Sequence, residues 1–255
     1  PPLPIQQTIA SYLDKLTSLT AELEAELELQ KKRYDFYRNR LLSFAPDSTT
    51  QFDARLNSTT PVKWMKLGEI AEIIRGGNFQ KKDFVESGYP CIHYGQIYTH
   101  YGTSATETIT YVGEDVFCKS KKAQPNDIVM AVTSENIEDV CKCVAWIGKE
   151  PIAVSGHTAI IHHQQNAKYL SYYFHTAMFA EQKKKLVHGT KVIEVTPKAL
   201  EEILIPLPPL SEQERIVGIL DKYETLVHNT QEGIPALIAA VKQKYEYYRE
   251  RMLTF

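Results

Sequence analysis

No apolar stretch in the 255 residues approaches the roughly 20 that a membrane-spanning helix needs. No signal-peptide pattern is present either, and the first residue is Pro1 rather than Met, so the start reads as a cut or processed boundary. An excess of one charge is also missing: 29 Lys and Arg stand against 31 Asp and Glu, a net charge of −2. Bulk electrostatics therefore gives no argument for a nucleic-acid partner, although a basic patch on one face is compatible with a neutral total. Cysteine is scarce, at four residues. Nothing argues for secretion, so reduced thiols and a cytoplasmic setting are expected. Cys91-x-His93 and Cys141-x-Cys143 have metal-capable residue types, but structural zinc favours pairs two to four residues apart. In an apolar, β-branched context the one-residue gap puts both side chains on one face of a strand, which predicts buried, inert cysteines and no metal.

Catalytic signatures are missing too. "IRGGNFQ" has adjacent glycines but no following amphipathic helix and no βαβ unit, so it does not form a cofactor-binding turn. The Asn/Asp-Pro-Pro-aromatic motif of amino-methyltransferases is absent, since both Pro-Pro pairs are followed by Leu. No G-x-x-x-x-G-K-[ST] phosphate loop occurs. The acidic residues of "PNDIVMAVTSENIEDVCK" lack the lysine at matching strand spacing that a metal-dependent nuclease site needs. The chain is expected to be non-enzymatic, with no cofactor.

What the chain does contain is a repeat. "PPLPIQQTIASYLDK" (Pro1–Lys15) returns as "PPLSEQERIVGILDK" (Pro208–Lys222). In the first copy, apolar or aromatic residues recur at Ile9, Leu13, Leu16, Leu23, Leu27, Tyr34, Tyr37, Leu41 and Phe44, with Thr20 and Gln30 filling the gaps. Steps of three and four make a heptad seam. A helix from Ile5 to Phe44 reaches about 60 Å and cannot bury such a seam alone. The second copy supplies a partner. Ser211-x-x-Glu214 reads as a capping box at its start, and the seam runs Ile216, Leu220, Tyr223, Val227, Ile234, Ile238, Val241, Tyr245, Tyr248, Met252, Phe255. Aligning the starts and aligning the ends of the two copies gives registers that differ by four residues, a stutter. Gly233 and Pro235 in "QEGIPAL" predict that the second helix breaks there and restarts at about Pro235.

Between the copies the character changes. "APDSTTQFDARLNSTTPVKW" is a polar, turn-rich linker that enters a domain at about Val62. The runs "EIIRGG", "YPCIHYGQIYT", "DIVMAVT", "CKCVAWIG" and "PIAVSGHTAIIHH" read as β-strands between turn residues. Residues 167–189 have helical spacing with Gly189 as a stop. "VIEVTPKALEEILIPLPP" reads as a strand or turn, a short helix capped by Thr196, and an extended exit. The expected fold is α+β: a mixed domain at 45–209 between long helices at 1–44 and 210–255 that form an antiparallel coiled coil.

"LPPLSEQERIVGILDK", "GIPALIAAVKQKYEYYRERMLTF" and "KKRYDFYRNRLLSF" closely resemble the conserved helices of type I restriction–modification specificity subunits. "KLGEIAEIIRGGNFQKKDF" with "CIHYGQIYT" resembles the opening of a target recognition domain of that family, and "GTKVIEVTPKALEEILIPLPPL" resembles its close. The resemblance covers essentially the whole chain. It implies a DNA sequence-recognition subunit that reads one half-site of double-stranded DNA. It further implies that the helices dock methyltransferase subunits and, through them, restriction subunits, and set the distance between two half-sites. The family order is recognition domain, helix, recognition domain, helix; the first recognition domain is missing here. A truncated subunit, a fragment and a half-subunit acting as a homodimer all remain open. Two competing readings are a coiled-coil scaffold or oligomerisation module without DNA readout, and a recognition domain detached from a fused nuclease–methyltransferase.

A DNA reader needs cations for phosphates and planar donors and acceptors for base edges. "RGGNFQKKDF" offers Arg75, Asn78, Gln80, Lys81 and Lys82 around a Gly-Gly turn, against the alternative of a solvated hairpin tip. "HYGQIYTHYG" offers His93, Tyr94, Gln96 and Tyr98, split between two faces if the segment is a strand; His93 reads equally as a satisfied, half-buried side chain. "VTSEN" offers Ser134, with Glu135 and Asn136, at a strand end or in a simple turn. "VSGHT" offers His157, and "HGTK" offers Thr190 and Lys191. Lys119–Lys122 and Lys183–Lys185 are weaker candidates for phosphate, since charge runs usually form solvated faces.

Overall fold

A computed structural model describes residues 1–44 and 62–254. Most of the expected linker, residues 45–61, lies outside the described residues, as does Phe255 at the end of the second seam. The elements in chain order are α1 (Leu3–Ser43), β1 (Lys63–Lys66), α2 (Leu67–Ile70), β2 (Ala71–Arg75), β3 (Phe84–Val85), β4 (Tyr89–Ile92), α3 (Tyr94–Thr99) and β5 (Ser104–Ala105). They continue with β6 (Thr110–Val112), α4 (Glu114–Lys119), β7 (Lys122–Ala123), β8 (Ile128–Ala131), β9 (Thr133–Ser134), β10 (Cys143–Trp146), β11 (Ile152–Val154) and β12 (Thr158–His163). The chain closes with α5 (Ala167–Phe174), α6 (Ala177–Lys183), β13 (Ile193–Glu194), α7 (Pro197–Leu200), β14 (Leu204–Leu207), α8 (Leu210–His228) and α9 (Ile234–Leu253). The fold is α+β, and it divides into two compact units: residues 1–37 with 218–255, and residues 38–217.

The helical unit follows the heptad reading. Every seam position from Ile9 to Phe44 is buried or half-buried, as is every seam position from Ile216 to Met252. Within the unit Tyr12 meets Tyr248 edge-on at 5.1 Å, Glu24 pairs with Lys242 at 2.7 Å, Tyr34 meets His228 at 5.8 Å and Tyr37 meets Tyr223 at 5.3 Å. One number rises as the other falls, so the pairing is antiparallel. The break also lies where the sequence put it: α8 ends at His228, Asn229 Oδ1 accepts the amides of Gln231 and Glu232 at 2.7 and 3.1 Å, and α9 starts after Gly233 with Pro235 in its first turn. The extra residues are looped out rather than carried through the helix.

The two repeat starts share their local bonding. Ile5 and Gln6 donate to the Pro2 carbonyl at 2.9 and 3.1 Å, and Glu212 and Gln213 donate to the Pro209 carbonyl at 2.9 and 3.1 Å. Gln6 Nε2 reaches Pro1 O at 2.7 Å; Gln213 Nε2 reaches Pro208 O at 3.0 Å. The Ser211 capping box is thus corrected: α8 begins one residue earlier, at Leu210, because the Pro209 carbonyl already accepts the first amides and leaves Ser211 exposed inside the first turn.

The second unit is built on two five-stranded mixed sheets. One has the order β2-β12-β8-β10-β5 and the other β3-β6-β4-β11-β7. Ile92, Ile152 and Val154 from the second sheet pack with Val129, Ala131, Val144, Trp146 and Ile160 from the first, all essentially without solvent contact. This continuous β-branched core accounts for the legibility of these strands in the sequence. The entry strand β1 pairs antiparallel with the exit strand β14, Lys63 opposite Leu207 and Lys66 opposite Leu204. Cys91, Cys141 and Cys143 are buried, and burial pushes the thiols of Cys141 and Cys143 up to about 12, against the thiolate that metals require. Cys118 is exposed.

Two segments differ from the sequence reading. Tyr94–Thr99 is a helical turn and a half rather than a strand, because His93 caps it: its Nδ1 accepts from Gly95 N at 3.2 Å, while the Gln96 side chain accepts from His93 N at 2.8 Å. The expected helix over 167–189 is two helices, broken at His175 and restarted by Thr176, whose hydroxyl accepts from Phe179 N at 3.2 Å. Gly189 lies beyond both, in a turn at φ +94.

Candidate nucleic-acid interface

The candidate interface begins where β2 ends. Gly76 and Gly77 let the 155–157 turn cross the 76–77 loop at bonding distance: Gly76 N donates to Thr158 O at 3.0 Å and Gly77 N to Val154 O at 2.7 Å. A Cβ on Gly76 would lie 2.1 Å from Ser155 O, so only glycine permits the crossing. Ser155 is itself buried, and its hydroxyl accepts from Tyr94 N at 2.9 Å, which seats α3 against the same turn. The Tyr98 hydroxyl then donates to Thr133 O at 2.6 Å, tying α3 to β9. Burial pushes the Tyr98 phenol well up, so it stays a donor.

These ties bring segments from distant parts of the chain around one open groove of about 420 Å³, lined by Tyr94, Tyr98, Thr133, Ser134, Glu135, Asn136, Asp139, His157 and Val192. Six of the residues singled out by sequence, Tyr94, Tyr98, Ser134, Glu135, Asn136 and His157, converge here. The His157 ring is exposed and lies 4.9 Å from the Tyr94 ring. An exposed imidazole beside tyrosines offers a planar polar surface of the kind that meets base edges and sugar.

The other candidates occupy different places. Arg75 is exposed at the end of β2, but its Nε donates to Gly156 O at 3.1 Å and its guanidinium pairs with Glu194 at 2.8 Å. Asn78, Gln80, Lys81 and Lys82 are exposed on the following loop, where Lys81–Asp83 forms a 3-10 turn and Gln80 N donates to Asp83 at 2.7 Å. Lys121 is exposed and runs beside Gly77, its backbone N 3.1 Å from where a Cβ would stand, while the Lys122 ammonium turns back to Ser120 O at 3.2 Å and over the Phe117 ring. His93 is buried under Phe84 and Tyr94 and serves as the helix cap; burial, then the charges of Lys81 and His157, hold its pKa below the ordinary histidine value. Gln96 is half-buried and spends its amide on His93 N and Thr110 Oγ1, at 2.8 and 3.0 Å. Thr190 and Lys191 are exposed on the loop before β13, which pairs with β9 through Ile193 and Ser134.

Lys183 departs from the sequence reading as a phosphate contact. It is buried, and its ammonium donates to Glu138 O at 2.7 Å and Val140 O at 2.6 Å. Val192, Asp139 and Glu194 belong to the site but carried no local signal. They reach it only through the β13–β9 pairing, a turn hydrogen bond and a partner 119 positions away in the chain (194 − 75). Among the described residues no group of three or more His, Cys, Asp and Glu side chains is arranged to hold a metal, and no helix is long and apolar enough to cross a membrane.

Residues 61–240 match the family model described as the type I restriction modification DNA specificity domain. A type I restriction enzyme specificity subunit of Escherichia coli is 33% identical over 267 residues, covering 99% of this chain and 60% of that protein. A putative one of Haemophilus influenzae is 29% identical, covering 100% of this chain and 63% of the relative. The chain thus spans about three-fifths of the length of these relatives. The HsdS subunit of Thermoanaerobacter tengcongensis shares the fold at a TM-score of 0.60, with 21% identity over 99% of this chain and 59% of its own. On the strength of the family match over most of its length, this chain belongs to the type I restriction modification DNA specificity domain family.

Proposed function

We propose that this chain is the sequence-reading subunit of a type I restriction–modification system, non-catalytic itself, and that residues 45–209 form a recognition domain for one half-site of double-stranded DNA. The observation that carries the reading is the convergence of Tyr94, Tyr98, Ser134 and His157 on one open groove, beside loops that carry Lys81, Lys82 and Lys121, in a chain of this family. Lysines on those loops suit phosphate, which positions the duplex, while the groove side chains suit base edges. Asn78, Gln80, Thr190 and Lys191 extend the contact on either side. Arg75, His93 and Gln96 support it from behind, since their polar groups are already engaged.

The helices at 1–44 and 210–255 dock methyltransferase subunits, and through them restriction subunits, in the cytoplasm. Two copies of the chain associate as a homodimer that presents two identical recognition domains to one duplex. Protein two-fold symmetry then demands an inverted-repeat site with a nonspecific spacer.

The test is a methylation map. The chain is expressed with its cognate methyltransferase subunit in a host free of background DNA methylation, and native DNA is sequenced for modified bases. A split palindromic motif is the expected result. An asymmetric split motif overturns the homodimer and keeps the DNA reading. Absence of a motif, with the methyltransferase still co-purifying, overturns the DNA reading.

A further inference from the structure

The segment between β9 and β10 is tied down at almost every polar group. Asn136 Oδ1 accepts from Asp139 N at 2.7 Å, its Nδ2 donates to Asp139 Oδ2 at 2.8 Å, and Lys142 pairs with Asp139 at 2.6 Å. Cys141 stands at φ +67 with its amide on Ala131 O at 2.8 Å. From α6, the buried Lys183 ammonium bridges the carbonyls of Glu138 and Val140 at 2.7 and 2.6 Å. A lysine 6% exposed is uncommon, and its charge is held there by two carbonyl dipoles and the nearby Asp139 and Glu138 carboxylates.

Among the described residues two carboxylates make no hydrogen bond in this network, those of Glu135 and Glu138, and of the two Glu135 is the one that lines the groove. Glu135 is exposed, and its carboxylate makes no ion pair among the described residues either. A carboxylate only accepts hydrogen bonds. In the major groove guanine presents only acceptors, N7 and O6, which repel it, and adenine sets its N7 acceptor beside the N6 amino donor, which weakens the contact. Cytosine presents an N4 amino donor flanked on its own ring by C5–H, which leaves a carboxylate free to approach from that side. A carboxylate discriminates in this way only if its backbone is held, because a mobile one would swing away from the wrong base.

We propose that Glu135 selects cytosine at one position of the half-site and that Lys183 is the positioning residue that fixes the loop presenting it. The inference rests on the DNA-reading role proposed above. It assigns the acidic side of the groove a task, namely base discrimination, that the lysines beside it do not perform.

The experiment repeats the methylation map with the wild-type chain, Glu135→Ala and Lys183→Met, each in complex with the methyltransferase. Wild type is expected to show a cytosine, read on one strand, at one half-site position. Glu135→Ala is expected to relax that letter alone, by about 5- to 150-fold in preference, the range of a lost base contact. Lys183→Met is expected to relax the same letter. A purely structural lysine would lower occupancy at every site and leave the motif letters unchanged. A wild-type motif that Glu135→Ala leaves intact overturns the proposal while the DNA-reading role stands. Relaxation in Glu135→Ala but an unchanged motif in Lys183→Met overturns the positioning role. Should Lys183→Met fail to fold, as its thermal melting would reveal, the surface variant Glu135→Ala still decides the central claim. No motif in wild type overturns the DNA-reading role, and this inference with it.

Discussion

The repeated helix starts offer a matched experiment in burial. Gln213 has no solvent exposure; its Nε2 donates to Gln165 Oε1 at 2.8 Å and Pro208 O at 3.0 Å, and its Oε1 accepts from Asn166 N at 3.1 Å. Gln6, its counterpart, makes the same local bond to Pro1 O but is exposed. Gln213→Ala strands the Asn166 amide and the buried Pro208 carbonyl. Each unsatisfied group costs about 1–3 kcal/mol. Asn166 is half-buried and recovers part of this from water, so the net loss is about 2–4 kcal/mol. At about 2–4 °C per kcal/mol for a domain of this size, the melting midpoint falls by about 4–16 °C. Gln6→Ala loses only a solvated bond and stays within about 0.5 kcal/mol. Thermal melting followed by near-UV circular dichroism, which reports the tyrosine-rich domain, compares the two variants side by side. If Gln213→Ala lowers the midpoint no more than Gln6→Ala, buried hydrogen bonding is not what joins α8 to the Gln165–Asn166 turn.

Two further expectations concern charge. His163 is buried and its folded pKa is pushed down to about 4, below the ~6.5 of an unfolded histidine. Its contribution to stability is therefore complete above pH ~6.5 and is lost as pH falls towards 4, to the order of 3 kcal/mol. Urea midpoints at neutral and mildly acidic pH should show the fall, and His163→Gln should flatten it across that window. Lys81→Ala with Lys82→Ala should weaken binding to all duplexes alike and reduce the salt slope of log K by about 0.9 per lost phosphate contact. A changed methylation motif in that double variant would contradict a phosphate role.

The long-range architecture was legible because its signals are periodic. Seam residues spaced by three and four require a partner helix, and Gly233 with Pro235 cannot continue one. The strands of the core were legible as β-branched runs bounded by turn residues. The segment Tyr94–Thr99 was not, because tyrosine and isoleucine favour strands and its helix depends on a cap formed by the His93 ring and the Gln96 side chain. The place of Lys183 is hidden for a similar reason: a run of three lysines reads as a solvated face, and nothing in "KKK" marks the first as lying against the carbonyls of Glu138 and Val140. For the candidate site, residue types were visible in the loops, while the sorting into groove, flank and support came from hydrogen bonds between segments up to 119 positions apart.

The β1–β14 clasp has a mechanical consequence. Lys63 and Leu207 sit opposite each other at the end where the chain enters and leaves, and Lys66 and Leu204 at the far end, followed by the Leu67 N to Ile203 O bond at 2.8 Å. Tension applied at residues 62 and 208 loads this ladder from one end. It unzips pair by pair instead of shearing all its bonds at once. Stretched through its two attachment points, the domain should yield first at this clasp and at low force, while the five-stranded sheets stay intact and ready to reclose it.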